Sequence, residues 1–209
     1  MQTNKHSEFV KLLLASTNRG KLGEMQALLG DLPVCLLLPA DIGLNLEVVE
    51  DGLTYAENAA IKARAYCEAS GLPVLADDSG LDVDALNGAP GIHSARYAPW
   101  ECATDADRRR LLLENLKAKP RPWIARFRCA IALAAPGRPL AFSEGICDGE
   151  IIPEERGNNG FGYDPIFLLR DMGKTMAELS MAEKNQRSHR ALAIKAALPE
   201  ITAMLGLPG

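Results

Sequence analysis

Apolar runs of strand length alternate with stretches in which apolar residues recur at helical spacing. Residues 9–15 (FVKLLLA) form a short apolar run, and Leu22, Met25 and Leu28 then recur every three residues. A continuous apolar run predicts a buried strand, and the recurrence predicts a helix with one apolar face. The chain therefore begins with a strand, a polar turn and a helix, and residues 34–38 are a second strand candidate.

Capping residues mark the starts of three further helices. Thr54 and Glu57 have the capping-box pattern, in which each side chain accepts a hydrogen bond from a backbone N–H that the helix leaves without a partner. Thr104 and Ser188 are N-cap residues in front of two other helical stretches. We expect Pro199 to bend the last helix or to end it early.

Alternating patterns in the second half of the chain predict a hairpin. Residues 123–134 alternate apolar with polar side chains, and residues 140–151 return after a Pro-Gly turn. Earlier, the apolar residues 73–76 predict a strand that runs into a polar turn at residues 77–80 (DDSG). A hairpin within a helix-and-strand chain indicates a mixed sheet. Because no repeat or linker interrupts the pattern, we expect one domain over residues 1–209, with 1–8 as a flexible N-terminal extension.

Composition narrows the class of protein. Hydrophobic residues make up 47% of the chain and charged residues 24%, as in globular proteins. The 23 Lys and Arg residues are outnumbered by 27 Asp and Glu residues, so a nucleic-acid partner is not expected. The sequence contains no signal peptide and no apolar stretch of membrane-spanning length, and its five cysteines form no CxxC pair. We therefore expect a cytoplasmic protein without a membrane partner; its scattered histidines argue against zinc.

The first polar cluster follows the first strand. Thr17, Asn18, Arg19, Gly20 and Lys21 lie at a predicted helix N-terminus, where backbone N–H groups and a lysine attract an anion such as phosphate. The glycine spacing differs from that of a Walker A loop. A capped surface turn is the ordinary alternative for such a cluster.

Two clusters contribute carboxylates. Glu50 precedes a helix on which Asn58 and Lys62, four residues apart, project from one face. Asp77 and Asp78 follow an apolar strand at the edge where open α/β sheets bind ligands, and alternation along a strand leaves only one of them facing a site. A solvated helix face and an exposed acidic turn are the alternatives.

The fourth cluster could bind a flat ligand. Phe161 or Tyr163, on a glycine-rich loop, offers an aromatic ring for stacking, and Lys184, His189 and Arg190 supply hydrogen-bond donors. A packed loop and a solvated basic helix start are the alternatives. Together, carboxylates for a divalent metal, cations for phosphates and a ring with donors for a base predict a metal-dependent nucleotide hydrolase.

Five motifs make the resemblance to a known family specific. In order along the chain, they are LLLASTNRGKLGEM, DGLTYAENAAIKARAY, LADDSGLDVDALNGAPGIHSARYA, GFGYDPIF and ELSMAEKNQRSHRALA. This sequence resembles the inosine triphosphate pyrophosphatase family from about residue 12 to residue 205. The resemblance implies an elongated α/β fold with two lobes around a cleft, in a homodimer. It also implies Mg²⁺-dependent hydrolysis of dITP, ITP and XTP to the monophosphate and pyrophosphate.

The resemblance also implies roles for individual residues. Glu50 and Asp78 match the metal-associated carboxylates, Asp78 being also the proton acceptor, and Lys21 and Lys62 match cations of the catalytic site. The substrate-binding positions are Ser16, Thr17, Asn18, Arg19, Gly20, Lys21, Ser79, Phe161, Gly162, Tyr163, Asp164, Lys184, His189 and Arg190. Two alternatives stay open at this point: a pyrophosphatase for modified pyrimidines or methylated bases, and a regulatory module that binds nucleotides without hydrolysing them.

Overall fold

The structure is a computed structural model that describes residues 9–207, without the side chain of Arg19. The extension expected at residues 1–8 lies outside the described part. The strands within it are β1 (Val10–Leu14), β2 (Val34–Leu37), β3 (Val74–Val83), β4 (Pro90–Gly91), β5 (Trp123–Ala134), β6 (Ala141–Ile151), β7 (Phe167–Leu169) and β8 (Lys174–Thr175). The α-helices are α1 (Arg19–Leu28), α2 (Tyr55–Ser70), α3 (Asp105–Leu116), α4 (Met181–Arg187) and α5 (His189–Leu205).

The strands form one mixed sheet flanked by helices. Its order is β2-β1-β3-β5-β6-β7-β8, and β4 pairs with the outer part of β3. The strands β2, β1 and β3 are parallel because α1 and α2 carry the chain back between them, whereas β3, β5 and β6 pair antiparallel. The mixed sheet and the β5–β6 hairpin confirm the fold class and the return strand predicted from the sequence. The assignment of residues 1–209 to one domain stays a prediction.

The packing of strand β1 accounts for the apolar run near the start of the chain. Leu12 and Leu14 pack with Met25 of α1 and with residues of α5 on one face of the sheet. Leu13 packs on the other face, against Ala63 of α2. Because helices cover both faces, Leu12, Leu13 and Leu14 are all buried and the pattern does not alternate.

The apolar core has an inner and an outer part along the long strands. The inner part comprises the residues packed around β1 and around residues 74–76 of β3. The outer part joins the far ends of β3, β5 and β6 to Leu112 of α3 and Phe167 of β7. These two parts correspond to the two lobes that the family resemblance implies.

The polar turn predicted at residues 77–80 is wrong. Strand β3 continues without a break to Val83, and every residue from Val74 to Val83 pairs with β5. Alternation places Asp77 with Leu75 on the face covered by α1 and α5, and Asp78 with Ala76 on the face covered by α2. The polar residues are compatible with a buried strand because side chains from the helices pair with them.

A gap in the sheet opens beside this polar segment. Strand β1 pairs with β3 only at Val74 and Leu75, and β4 pairs with it only at Leu81 and Asp82. Within the described residues, the edge of β3 between these points therefore has no strand beside it. Side chains from the helices on both faces can meet in this gap.

The helix starts agree with the capping residues identified in the sequence. Thr54, Thr104 and Ser188 each accept a hydrogen bond from a backbone N–H of the first turn. Pro199 does not end α5, which continues to Leu205, although a proline in a helix lacks the N–H donor and its ring crowds the carbonyl four residues earlier. The short helix α4 was not predicted. No helix in the described chain is long and apolar enough to cross a membrane.

We predict that Gly145→Ala destabilises the fold. Helix α5 lies so close to β6 that a Cβ at Gly145 would be 2.1 Å from the His189 carbonyl oxygen and 2.4 Å from the Ala193 nitrogen. Urea denaturation should show a loss of about 1 to 3 kcal/mol in the free energy of unfolding.

Gly23→Ala is the matched control for this substitution. A Cβ at Gly23 on α1 has no heavy atom within 4 Å. Since alanine favours a helix interior, this variant should gain about 0.5 to 1 kcal/mol. Equal stability of the Gly145→Ala variant and the unsubstituted protein would contradict the close packing of α5 on β6.

Candidate active site

A cavity of about 260 Å³ lies at the gap beside β3. Most of the residues singled out in the sequence line it. They are Asn18, Lys21, Glu50, Lys62, Asp78, Ser79, Phe161, Gly162, Tyr163, Asp164, Lys184, His189 and Arg190. The four polar clusters, far apart in the chain, therefore surround one shared cavity.

Three predicted residues lie beside the cavity without lining it. Ser16 accepts a hydrogen bond from the Asn18 N–H at 3.1 Å, and Thr17 is exposed. A Cβ at Gly20 would be 3.1 Å from the Phe161 ring. The glycine therefore allows the first loop (residues 16–20) to approach the aromatic loop (residues 157–165) closely. The side chain of Arg19 lies outside the described part of the structure.

Asn18 determines the shape of the first loop. Its side-chain oxygen accepts hydrogen bonds from the N–H groups of Gly20 at 2.8 Å and Lys21 at 3.3 Å, and thereby caps α1. The Lys21 side chain, one turn into the helix, extends to Asp77 with Nζ 2.9 Å from Oδ2. The capped turn is therefore real, and it also presents a cation to the cavity.

On the α2 side, two carboxylates converge on one lysine. Lys62 Nζ lies 2.7 Å from Glu50 Oε2 and 3.7 Å from Asp78 Oδ1. Burial alone would lower the pKa of Lys62, but the negative charges of Asp77, Asp78 and Glu50 outweigh it and raise the pKa. Lys62 therefore stays protonated and offsets the charge of the two carboxylates.

Asn58 positions both carboxylates. Its side-chain amide donates to Asp78 Oδ2 at 3.2 Å, and its oxygen accepts from the Gly52 N–H at 2.9 Å. One buried side chain thus holds the Asp78 carboxylate and the segment that follows Glu50. Burial raises the pKa of Asp78 above its usual value, although Lys62 and Asn58 partly offset that effect.

The carboxylate pair has the composition of part of a divalent-metal site, to which a phosphate ligand would add further oxygens. Glu50 and Asp78 supply hard oxygen ligands, which Mg²⁺ prefers, and Mg²⁺ is commonly held by one or two carboxylates together with substrate phosphates. Among residues 9–207, no group of three or more His, Cys, Asp or Glu side chains could hold a metal without further ligands. The residues present fit a metal that is bound together with a phosphate ligand.

Behind the cavity, buried ion pairs connect α1 with α4 and α5. Asp77 accepts from Lys21 and lies 3.5 Å from Arg190, and Arg190 pairs with Glu24 of α1. Glu24 also pairs with Lys184, with 2.6 Å between Oε1 and Nζ. These contacts join the helix that carries the first loop to the helices that carry Lys184 and Arg190.

The aromatic loop lies against the same cations. Lys184 Nζ is 5.3 Å and the Arg190 guanidinium 5.6 Å from the centre of the Phe161 ring. Asp164 accepts from Lys184 at 2.8 Å and from the Phe161 N–H at 3.1 Å. The ring is therefore held in the cavity wall by both its own backbone and the neighbouring charges.

His189 is a neutral donor and acceptor in this wall. Its ring stacks on Phe127 with 4.8 Å between centres, and burial lowers its pKa well below the usual value, with Arg190 and Lys184 adding to that effect. Nδ1 is buried and has no hydrogen-bond partner among residues 9–207. A ligand in the cavity could use such a group without competing with an ion pair.

Several residues of the site escaped the sequence analysis. Glu24 follows an apolar helix pattern, in which a charged residue predicts an exposed face, yet it is only 4% exposed. Asp105 and Arg108, in the first turn of α3, also line the cavity. Their only signal was an N-terminal acidic residue, which the helix dipole already explained.

Comparison with known proteins identifies the family of this chain. A model of the Ham1 family matches residues 12–200 of this chain. The chain belongs to the Ham1 family. The family indicated by the five sequence motifs is thereby confirmed.

Relatives and solved structures cover nearly the whole chain. A dITP/XTP pyrophosphatase of Desulfotalea psychrophila is 48% identical over 197 residues, which are 93% of this chain and 87% of that protein. A dITP/XTP pyrophosphatase of Geobacillus kaustophilus is 49% identical, over 88% of this chain and 90% of its own. The structure of a HAM1 protein from Coxiella burnetii has a TM-score of 0.84 and 43% identity, over 93% of this chain and 100% of that one.

We predict that Asp77→Asn destabilises the fold. The Asp77 side chain has no exposed surface, so the substitution leaves Lys21 and Arg190 without their shared buried anion. Breaking a buried pair in this way costs about 3 to 5 kcal/mol of unfolding free energy at neutral pH. Asp84→Asn, which removes an exposed partner of Arg126, is the matched control and should cost less than about 1 kcal/mol.

We also predict that the stability lost in Asp77→Asn depends on pH. Burial by itself raises the pKa of Asp77, but Lys21, Arg190 and Lys62 outweigh it and hold the pKa well below its usual value. A lowered folded-state pKa stabilises the protein above the unfolded-state pKa of about 4, and this contribution is lost as the pH falls towards the folded-state pKa. The stability difference between the two proteins should therefore shrink below about pH 4. A difference that is constant down to pH 2 would contradict the role of the charge.

Proposed function

We propose that this protein hydrolyses the triphosphates of deaminated purines, namely dITP, ITP and XTP, to the nucleoside monophosphate and pyrophosphate. One observation carries the proposal: a single cavity holds Lys21, Lys62 and Asp78 together with Phe161 and His189. Cations and carboxylates suit a triphosphate, and the ring and the donors suit a purine. The similarity to dITP/XTP pyrophosphatases supports the same reaction.

The residues of the chain suggest how the reaction proceeds. Lys21 and Lys62 offset negative charge on the phosphates, so that the bond between the α-phosphorus and the bridging oxygen can break. A water molecule attacks the α-phosphorus, and pyrophosphate leaves. Asp78 accepts the proton of that water; Asn58 keeps its carboxylate oriented for this task.

We propose that Mg²⁺ is the cofactor and that Glu50 and Asp78 hold it. When bound, the metal would withdraw negative charge from the phosphate oxygens. Lys62, which contacts both carboxylates, keeps the pair from repelling the substrate before the metal and the triphosphate arrive. The positive charge of Lys62 therefore explains how two carboxylates can lie together in a cavity that binds an anionic triphosphate.

Selection for the base follows from the donors around Phe161. Lys184, His189 and Arg190 can donate to the 6-keto oxygen of hypoxanthine or xanthine, but the two cations, Lys184 and Arg190, cannot accept a hydrogen bond from the 6-amino group of adenine. A buried mismatch of this kind costs about 1 to 3 kcal/mol per group. ATP is therefore a poor substrate.

Two further expectations extend the proposal. The resemblance to the family implies a homodimer. The amino-acid composition, with five cysteines that form no CxxC pair, favours the cytoplasm. Size-exclusion chromatography with light scattering tests the first expectation, and fractionation of the source cells tests the second.

We predict that the protein releases pyrophosphate from ITP, dITP and XTP when Mg²⁺ is present and that chelation of the metal abolishes the release. The ratio kcat/KM should be about 10- to 100-fold lower for ATP than for ITP, because Lys184 and Arg190 cannot accept from the adenine amino group. A pyrophosphate-release assay across purine and pyrimidine triphosphates measures both. Equal values for ITP and ATP would contradict the base selection, and binding without turnover would identify a regulatory module instead.

We predict that Asp78→Asn lowers kcat for ITP by at least about 100-fold, because the amide cannot accept the proton of the attacking water. The fold should persist, since Lys62 keeps its pair with Glu50. Circular dichroism checks the fold of the variant. Asp84→Asn removes an equivalent carboxylate outside the cavity and should leave kcat unchanged; near-normal turnover of Asp78→Asn would refute the assignment.

A further inference from the structure

Helix α3 contacts the aromatic loop through hydrogen bonds to a single residue. Asp105 Oδ2 accepts from the Gly162 N–H at 2.7 Å, and an Arg109 guanidinium nitrogen donates to the Gly162 carbonyl oxygen at 2.8 Å. Asp105 and Arg109 are four residues apart and therefore project from one face of the helix. Both polar backbone groups of Gly162 are thus bound by α3.

Arg109 also reaches the segment that leads into this loop. Its guanidinium group binds the Glu155 carboxylate with both oxygens, at 2.8 and 2.9 Å. Glu155 precedes the glycine-rich stretch, and Gly162 lies near its end. One planar side chain, with donors in a fixed geometry, therefore connects the two ends of the loop.

Other elements hold the loop at Asn159 and Tyr163, but among residues 9–207 the hydrogen bonds of Gly162 come from α3 alone. Gly157, Gly160 and Gly162 all have positive φ angles, of 81°, 78° and 63°. Glycines lose more conformational freedom on folding than other residues, so an ordered loop with three of them needs bonds from outside. Gly162 directly follows Phe161, whose ring lines the cavity.

The start of α3 is built so that Asp105 is available for this contact. The Thr104 side chain accepts from the Asp107 N–H, and Asp107 accepts from the Thr104 N–H. Asp107 therefore completes the capping box with Thr104, and Asp105 bonds to Gly162 and Arg108 instead. Since Asp105 and Arg108 line the cavity, the contact lies at the wall of the site.

We propose that Asp105 and Arg109 are positioning residues for purine binding: they hold Gly162 and thereby fix the Phe161 ring in the orientation that stacks on the base. This inference rests on the proposed function. It places the effect in the half of the cavity that binds the base. The half that contains Lys21, Lys62 and Asp78 has no bond to either residue.

The test separates binding of the base from the chemical step. Arg109→Met should raise KM for ITP about tenfold, while kcat stays within about threefold of the unsubstituted enzyme, because an interaction made equally in ground and transition states affects KM alone. Inhibition by pyrophosphate, the product without a base, should change less than about twofold. A general loss of structure would instead raise KM, lower kcat and weaken inhibition by pyrophosphate at the same time.

Arg110→Met is the matched control. Arg110 is the next residue of the same helix and pairs with Asp107 at 2.9 Å, away from the loop. Its loss removes an arginine and an ion pair from α3 without touching Gly162. All three kinetic constants should stay unchanged.

A second pair of variants keeps the inference testable if Arg109→Met folds poorly. Asp105→Ala removes the acceptor of the Gly162 N–H and should raise KM for ITP about fivefold, whereas Asp105→Asn keeps an oxygen there and should restore most of the affinity. An unchanged KM in both Arg109→Met and Asp105→Ala would overturn the inference, as would parallel losses in KM, kcat and pyrophosphate inhibition. Absence of turnover in the unsubstituted protein would instead overturn the proposed function.

Discussion

Asp77 is a carboxylate without exposed surface, held between a lysine of one helix and an arginine of another. A buried charge of this kind is tolerated only when cations and hydrogen bonds compensate it. The compensation forces α1 and α5 to meet behind β3, and Glu24 extends the same contacts to Lys184. The first loop, the donors near Phe161 and the aromatic loop itself take their places from this arrangement.

The sequence predicted the frame of this structure well because the frame depends on apolar periodicity and on local capping. The run that became β1, the alternation of β5 and β6, and the caps at Thr54, Thr104 and Ser188 all carry short-range signals that a single chain displays. The error at β3 has the opposite origin. Four consecutive polar or small residues favour a turn unless partners from distant helices neutralise them, and those partners are visible only in three dimensions.

The residues of the candidate site likewise divide into those that the sequence predicted and those that it did not. Lys21, Asp78, Phe161 and His189 belong to motifs that differ from an ordinary helix or strand, and they do line one cavity. Glu24 and Arg109 occupy helix positions where a charged residue usually faces water, so pattern alone cannot distinguish them from solvated residues. What distinguishes them is the burial of Glu24 and the two-ended contact of Arg109, which are properties of the fold.

The gap beside β3 has a consequence for how the enzyme can change. Because β1 stops early, side chains from both faces of the sheet reach the cavity beside β3: Lys62 comes from the α2 face, and Lys184 and Arg190 come from the opposite face. Under the proposed function, Asp78 on the α2 face accepts the proton of the attacking water, and donors on the opposite face distinguish one base from another. A new base preference could therefore arise by substitution of these donors, while the residues on the α2 face continue to support the same reaction.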